Sequence, residues 1–434
     1  MLEREYIYKK EKKKKIEYSK KLSILEGSAY SISEGFGFRY ITPFALQIGA
    51  NNFYIGILNS LPSILGNISQ IFTIKIMEKV SRKKICVYGA LAQAVSWISM
   101  TFIGILLILN KYVEILPILL ILFYSLVVLF GASINPSWNS WMKDLVPKKE
   151  RGEYFGRRNK IVTFVALVST IVAGLILDFF EIKIFGFFIL FFVAFLARGA
   201  SAYILTKKYE PSFRQEKEYY FSFFEFLKKA PSNVFGNFVI FFSLIIFSAM
   251  VAGPFFAVYM LKNLKFSYTF FMIVSIAGII STISFMEYWG KVIDRKGCVS
   301  VMKFCGGLIF LIPVLWFLSI FVPKNFLVIY LFSVEFFSGC VWSGLSLAGS
   351  NYILNSVTRQ RTAICTAYFN IINSISSFFG ASIGGAISSI FASVAGIDSI
   401  LFIFILSASL ELLVYVFMAS KVREVQIKRW KNKH

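Results

Sequence analysis

Apolar positions dominate the chain in runs of about 20 residues, each closed by a short polar stretch. A run of that length crosses the hydrocarbon core of a bilayer as a helix. Inside lipid the backbone must satisfy its own hydrogen bonds, so helices are the expected form. A membrane barrel would show short strands of alternating polarity, and no such pattern is evident. The pattern predicts twelve spans, at 22–48, 52–77, 85–109, 113–140, 160–180, 184–206, 232–260, 266–288, 298–321, 325–350, 362–391 and 396–420. The expected fold class is an all-α polytopic membrane protein. No secretory signal is evident, because the first apolar segment is too long and lacks a small-residue cleavage site.

The spans fall into two sets of six. "ITPFALQIGANNFYIGIL" (Ile41–Leu58) lines up with "AGPFFAVYMLKNLKFSYTFF" (Ala252–Phe271), and Pro43-Phe44 matches Pro254-Phe255. Arg151 matches Arg361 at nearly the same offset. The expected organisation is a basic tail over 1–21, a six-helix bundle over 22–206, a linker over 207–231, a second six-helix bundle over 232–420 and a basic tail over 421–434. Parallel six-helix repeats place a substrate site between the halves near the midplane.

Charge orients this picture. The chain carries 46 basic and 23 acidic residues, an excess that in a soluble protein would point to nucleic acid. Here 38 of the basic residues fall in the two tails, in the loops of one side or, as Lys160 and Lys303, near the span ends beside them, against five in the opposite loops. The positive-inside bias puts both termini in the cytoplasm, as expected for a multi-pass protein of the plasma membrane. It also accounts for the net charge without nucleic acid. The tail "KKEKKKKIEYSKK" (Lys9–Lys21) reads as a solvated topology signal, or as a contact for anionic lipid headgroups.

Several chemistries are not expected. The one histidine is His434, which leaves no histidine-based catalysis or proton relay. The five cysteines show no CxxC or metal spacing, and most sit inside apolar spans as small hydrophobes. There is no phosphate-binding G-x-x-x-x-G-K-[ST] loop or HExxH, and the GxSxG match at Gly380–Gly384 lies inside an apolar span rather than at the strand-to-helix turn that a nucleophilic serine needs. The expectation is a protein that is not an enzyme and uses no cofactor or metal.

"GKVIDRKG" (Gly290–Gly297) reads as a tight cytoplasmic turn between spans 8 and 9. Glycines suit a sharp reversal, and Asp294 suits the free N–H groups of a helix start. Gly290, Asp294, Arg295 and Gly297 match the G-x-x-x-D-R/K-x-G-R-R/K turn of the major facilitator superfamily, with Cys298 and Val299 in place of its basic pair. In the corresponding turn "IKIMEKVSRKK" (Ile74–Lys84), Glu78 stands for the aspartate, beside Lys79, and Arg82-Lys83 keep the basic pair. The chain thus resembles that superfamily from Leu22 to Ser420. "NPSWNSWMKDLVPKKERGEYFGRRN" (Asn135–Asn159) looks like a turn of its poorly characterised prokaryotic members. The resemblance implies two halves rocking about a central site, small-solute transport and a monomer.

Span 5 lacks the G-P-x-x-G-G of the drug/proton antiporters, which weakens an efflux reading, and no sugar-porter signature occurs. The turns supply the expected cytoplasmic gate: Glu78, Lys79, Arg82, Asp144, Arg151, Gly290, Asp294, Arg295 and Gly297. Asp144 is expected to pair with Arg151 or Arg158 and to exchange partners between states. A plain positive-inside loop is the alternative.

Ionisable groups deep in spans are costly and are functional candidates by default. Glu34, Arg39, Arg198, Glu335 and Glu411 stand out. The resemblance implies that spans 1, 4, 7 and 10 line the cavity, which favours Glu34, Arg39 and Glu335. On a regular helix Glu34 and Arg39 lie roughly 140° apart and do not pair, unless Gly35, Gly37 or Pro43 distorts it. A pair between Arg39 and Glu335 is equally open. Either carboxyl suits a proton carrier, and static ion pairs are the alternative. Asn135, Trp138 and Asn139 are further solute contacts, whereas Trp141 and Glu26 are expected near the cytoplasmic interface. The expected function is proton-coupled transport of a small solute. The rival is a non-transporting relative acting as a receptor, assembly factor or lipid-handling protein.

Overall fold

The structure, a computed structural model, describes residues 2–147, 150–211, 223–230, 233–357, 362–394 and 396–424. It is built almost wholly of helices. In the first half these are α1 (Leu2–Phe36), α2 (Ile41–Gln47), α3 (Asn52–Ile76), α4 (Arg82–Ile108), α5 (Leu116–Leu145), α6 (Arg151–Phe179) and α7 (Lys183–Lys207). In the second they are α8 (Phe223–Lys229), α9 (Val234–Ala252), α10 (Phe255–Val258), α11 (Tyr268–Lys296), α12 (Cys298–Gly306), α13 (Leu311–Leu318), α14 (Lys324–Ser356), α15 (Thr362–Ile390) and α16 (Ser399–Met418). A two-residue hairpin, β1 (Ser393–Val394) with β2 (Ile397–Asp398), leads into α16.

Ten helical segments among the described residues are long and apolar enough to cross a membrane, beginning with α4. They coincide with the expected spans from 85–109 onward. The first two expected spans are helical but fall outside that set. α3 carries Asn52, Asn59, Ser60, Ser63, Asn67, Ser69 and Gln70, which dilute its apolar character. The first span is a broken helix. Pro43 has no N–H to give the carbonyl of residue 39 and its ring crowds that carbonyl. The chain therefore leaves the α-helix after Phe36, makes a 3-10 turn over Phe38–Tyr40 and resumes at Ile41. Span 7 breaks beside its own Pro-Phe: α9 ends at Ala252, and α10 starts after Pro254 and runs into a π-helical turn at Tyr259–Asn263.

By packing, the chain divides into two compact units, residues 1–50 with 61–216, and residues 51–60 with 217–434. In the first, α4 packs along α5 and α7, and α1 along α6 and α7. Its core includes Trp97, stacked on Phe191 and edge-on to Phe38. In the second, α9 packs on α15 and α16, and α11 on α14. Gly380 and Gly384 of α15, four residues apart, let that helix touch the α9 backbone at the carbonyls of Phe247 and Val251.

The expected turn at Gly290–Gly297 is mostly helix. α11 continues to Lys296, and only Gly297, at φ +85°, reverses the chain into α12. Arg295 and Lys296 sit in the last helical turn, where cations are favoured by the helix dipole.

Candidate functional site

The break in the first span brings two opposite charges together. Arg39 lies in the 3-10 turn rather than in a continuous α-helix, and its Nη2 comes 3.7 Å from Glu34 Oε1. The distortion at Gly37 and Pro43 removes the roughly 140° separation of a regular helix. The Arg39 side chain is 42% exposed and that of Glu34 36%. Neither makes a hydrogen bond among the described residues, so both keep most of their capacity open.

The pair faces other polar and aromatic side chains. Phe38 meets Trp97 of α4 and Tyr124 of α5. Tyr30 sits one turn before Glu34 and carries the Arg198 guanidinium 4.8 Å above its ring. Tyr124 lies within electrostatic reach of both Tyr30 and Arg39. Asn135 and Trp138 follow Tyr124 at roughly the same angular position on α5, at about 100° per residue. Asn135 and Asn139 are both exposed.

Trp138 is engaged elsewhere. Its indole N–H donates to Glu26 Oε2 at 3.3 Å, and the Arg158 guanidinium covers its ring at 4.5 Å. Glu26 is enclosed by protein rather than exposed. It is 5% exposed, accepts from Ser201 Oγ at 3.3 Å and lies 3.9 Å from Arg158. Arg198 Nη1 in turn donates to Ser201 Oγ. This buried network joins α1, α5, α6 and α7. Trp141 is likewise no surface residue: it is fully buried and donates to the carbonyl of Tyr209. The Lys208 amine is buried against the faces of Trp141 and Trp138, and burial pulls its pKa down.

The expected gate residues separate into those that engage and those that do not. Arg82 is fully buried, and its guanidinium donates to Asp144 Oδ2 at 2.6 Å, Ser140 Oγ at 3.1 Å and the Pro211 carbonyl at 3.1 Å. Glu210 Oε1 stands 3.5 Å from its Nε. Asp144 thus pairs with Arg82 and not with Arg158, which is taken up by Glu26, Trp138 and the Ser23 carbonyl. The side chain of Arg151 lies outside the described residues, as does Arg361. Glu78 and Lys79 are exposed. Nearby, Lys20 bridges Glu17 and Glu150; burial pulls its pKa down, but the two hydrogen bonds outweigh it and hold the pKa up.

In the second unit Asp294 and Arg295 are exposed, and Asp294 makes no hydrogen bond or ion pair among the described residues. The carboxylate that takes the free N–H groups of α12 is Glu424. Its oxygens accept from Cys298 N at 3.1 Å and Val299 N at 2.9 Å. Tyr352 of α14 fastens the same tail, its hydroxyl donating to the Arg423 carbonyl. Sequence reasoning missed Glu424 because it lies far along the chain in a tail read only for charge.

Glu335 is half-buried on α14, its Oε2 facing the Cβ-less surface of Gly278 on α11. Trp316 of α13 lies beside it, its buried indole N–H near the carboxyl but outside hydrogen-bond geometry. Glu411 is buried on α16 with Oε2 unpartnered. Among the described residues no cation pairs with either. No cluster of three or more metal-ligating side chains occurs there either.

Residues 28–381 match the sequence profile described as Major Facilitator Superfamily. A search of curated proteins finds no match in sequence. Among solved structures, a mutant form of the nucleoside transporter NupG superposes with a TM-score of 0.73 at 13% identity, covering 93% of this chain and 100% of the other. A bacterial homologue of the iron transporter ferroportin, in its inward-facing state, gives 0.66 at 12% identity over 93% and 99%. A bacterial homologue of the human lysosomal transporter Spinster gives 0.62 at 13% identity over 94% and 95%.

Proposed function

The chain belongs to the major facilitator superfamily, and on that premise we propose that it is a secondary transporter that carries a small solute by alternating access. The reading takes twelve spans as two six-helix halves, with both termini in the cytoplasm of a plasma-membrane protein working as a monomer. Glu34, Arg39, Asn135 and Asn139 would face the solute. Trp138 would act as a support for that surface, since its indole and its ring face are both occupied.

The observation that carries the reading is the Glu34–Arg39 pair, held at 3.7 Å with both side chains partly exposed. Charged groups within a span are expensive and normally face a wet cavity or the bundle interior. The contact is long and not hydrogen-bonded, whereas the fully buried Arg82 donates to Asp144 at 2.6 Å. Protons are the proposed coupling ion, with Glu335 as carrier, because it is a carboxyl within a span without a cationic partner among the described residues. The cytoplasmic gate is proposed to involve Arg82, Asp144, Gly297 and Arg295, with Glu424 in the place that the turn motif gives Asp294.

The test is uptake into liposomes holding the purified protein, across a broad solute panel and with an imposed pH gradient. Accumulation of one solute class, collapsing when the gradient is dissipated, is the expected result. No uptake of any class by folded protein would remove transport and leave a receptor, assembly or lipid-handling role.

A further inference from the structure

The solute-facing pair has a chemistry of its own, which narrows the solute. We propose that the solute is a small zwitterion of the α-amino acid type, its carboxylate taken by Arg39 and its ammonium by Glu34. This rests on the transport reading above but names the class that the same site would take.

The case turns on charge balance. Arg39 offers five N–H donors in a planar fork that matches a carboxylate. Its one ion pair among the described residues, with Glu34 at 3.7 Å, lies beyond hydrogen-bond distance. Glu34 has two oxygens and, among the described residues, the same single ion pair. A monoanion at Arg39 would strip Glu34 of its countercharge, deep within a span where an uncompensated charge is costly. A monocation at Glu34 would strip Arg39 in the same way. A neutral solute would have to desolvate the pair and return nothing ionic. A zwitterion with adjacent charges replaces one loose contact by two close ones and leaves the net charge of the site unchanged.

The surroundings agree with a small polar head and an apolar or aromatic side chain. Phe38, next to Arg39 in the chain, meets Tyr124 at 6.0 Å between ring centroids, and Tyr124 lies within electrostatic reach of Arg39. Tyr30 is backed by Arg198 and offers a hydroxyl on the same face of α1 as Glu34.

The experiment is thermal melting of the purified full chain near pH 6, titrated with each common α-amino acid. Each is compared with its N-acetyl form, which is an anion, and its carboxamide, which is a cation. A bound ligand raises the midpoint by mass action. The expected result is that at least one free amino acid stabilises, at a concentration roughly tenfold or more below that needed by either capped form. One lost charge-assisted hydrogen bond is worth that much. Glu34→Gln should erase the advantage over the N-acetyl form, and Arg39→Gln the advantage over the carboxamide. The wild-type ranking decides the matter even if a variant does not fold.

Equal stabilisation by a capped form overturns the proposal, as does silence from every amino acid. Stabilisation by the N-acetyl anion that strengthens with acid would replace it with anion–proton binding. Uptake of another solute class, with no response to amino acids, would overturn the zwitterion and leave transport standing. Amino-acid binding with no uptake of anything would keep the zwitterion site and sink transport.

Discussion

The Arg82 guanidinium donates to the Asp144 carboxylate over 2.6 Å, from a side chain with no exposed surface to one that is 40% exposed. The same guanidinium also reaches Ser140, the Pro211 carbonyl and the Glu210 carboxylate. It therefore joins the start of α4, the end of α5 and the segment after α7.

This asymmetry sets the first prediction. Arg82→Gln should lower stability by about 3 kcal/mol, because the fork that ties four partners is lost. Arg82→Lys should recover little, since one ammonium cannot reproduce that fork. Asp144→Asn should be milder, because Asp144 is half solvated and Arg82 keeps its other partners. Thermal midpoints and protease resistance of the purified variants check the order. An Asp144→Asn loss as large as that of Arg82→Gln would reverse the assignment.

A second prediction contrasts two carboxylates near Gly297. Glu424→Gln should cost on the order of 1 kcal/mol, as expected for losing a cap on the first N–H groups of α12. Asp294→Asn, exposed and without a partner among the described residues, should stay within about 0.5 kcal/mol of wild type. Gly297→Ala should cost more than Asp294→Asn, since its φ of +85° disfavours a side chain and a Cβ would come 3.2 Å from the Glu424 carboxyl. Melting curves of the three variants suffice. A destabilised Asp294→Asn with an unaffected Glu424→Gln would return the cap to Asp294.

For the proposed proton route, Glu335→Gln should abolish accumulation driven by a pH gradient while leaving solute exchange at equal pH. The two assays use the same liposomes, so loss of both would point to binding or folding rather than coupling. Unchanged accumulation would take Glu335 out of the mechanism.

Lys208 supplies a pH dependence. Burial lowers its folded pKa below that of the unfolded chain, so between the two values the unfolded state binds more protons. Stability should therefore rise as pH climbs from the folded value towards the ordinary lysine range. In Lys208→Met that slope should be absent. Thermal midpoints across the alkaline range distinguish the two proteins, and parallel curves would show that Lys208 is not the group responsible.

The polarity pattern alone placed ten of the twelve expected spans close to their observed bounds, because burial in lipid demands long apolar helices whatever their neighbours are. The first span shows how far local chemistry reaches. Gly35, Gly37 and Pro43 mark a place where the helix can distort, and the break after Phe36 follows from the hydrogen bond that Pro43 withholds. Whether Glu34 and Arg39 then meet depends on which way the chain turns after the break.

The partners lie beyond the sequence. Asp144 has Arg151 seven residues away and Arg158 fourteen, yet it binds Arg82, brought to it by the packing of α4 against α5. The cap of α12 comes from Glu424, which no spacing rule connects to Cys298. Glu26 and Trp141 look interfacial by position along their helices, but helix packing closes other side chains over them. Span position follows from hydropathy residue by residue. Pairing of charges depends on which helix faces lie opposite one another, and only the folded chain decides that.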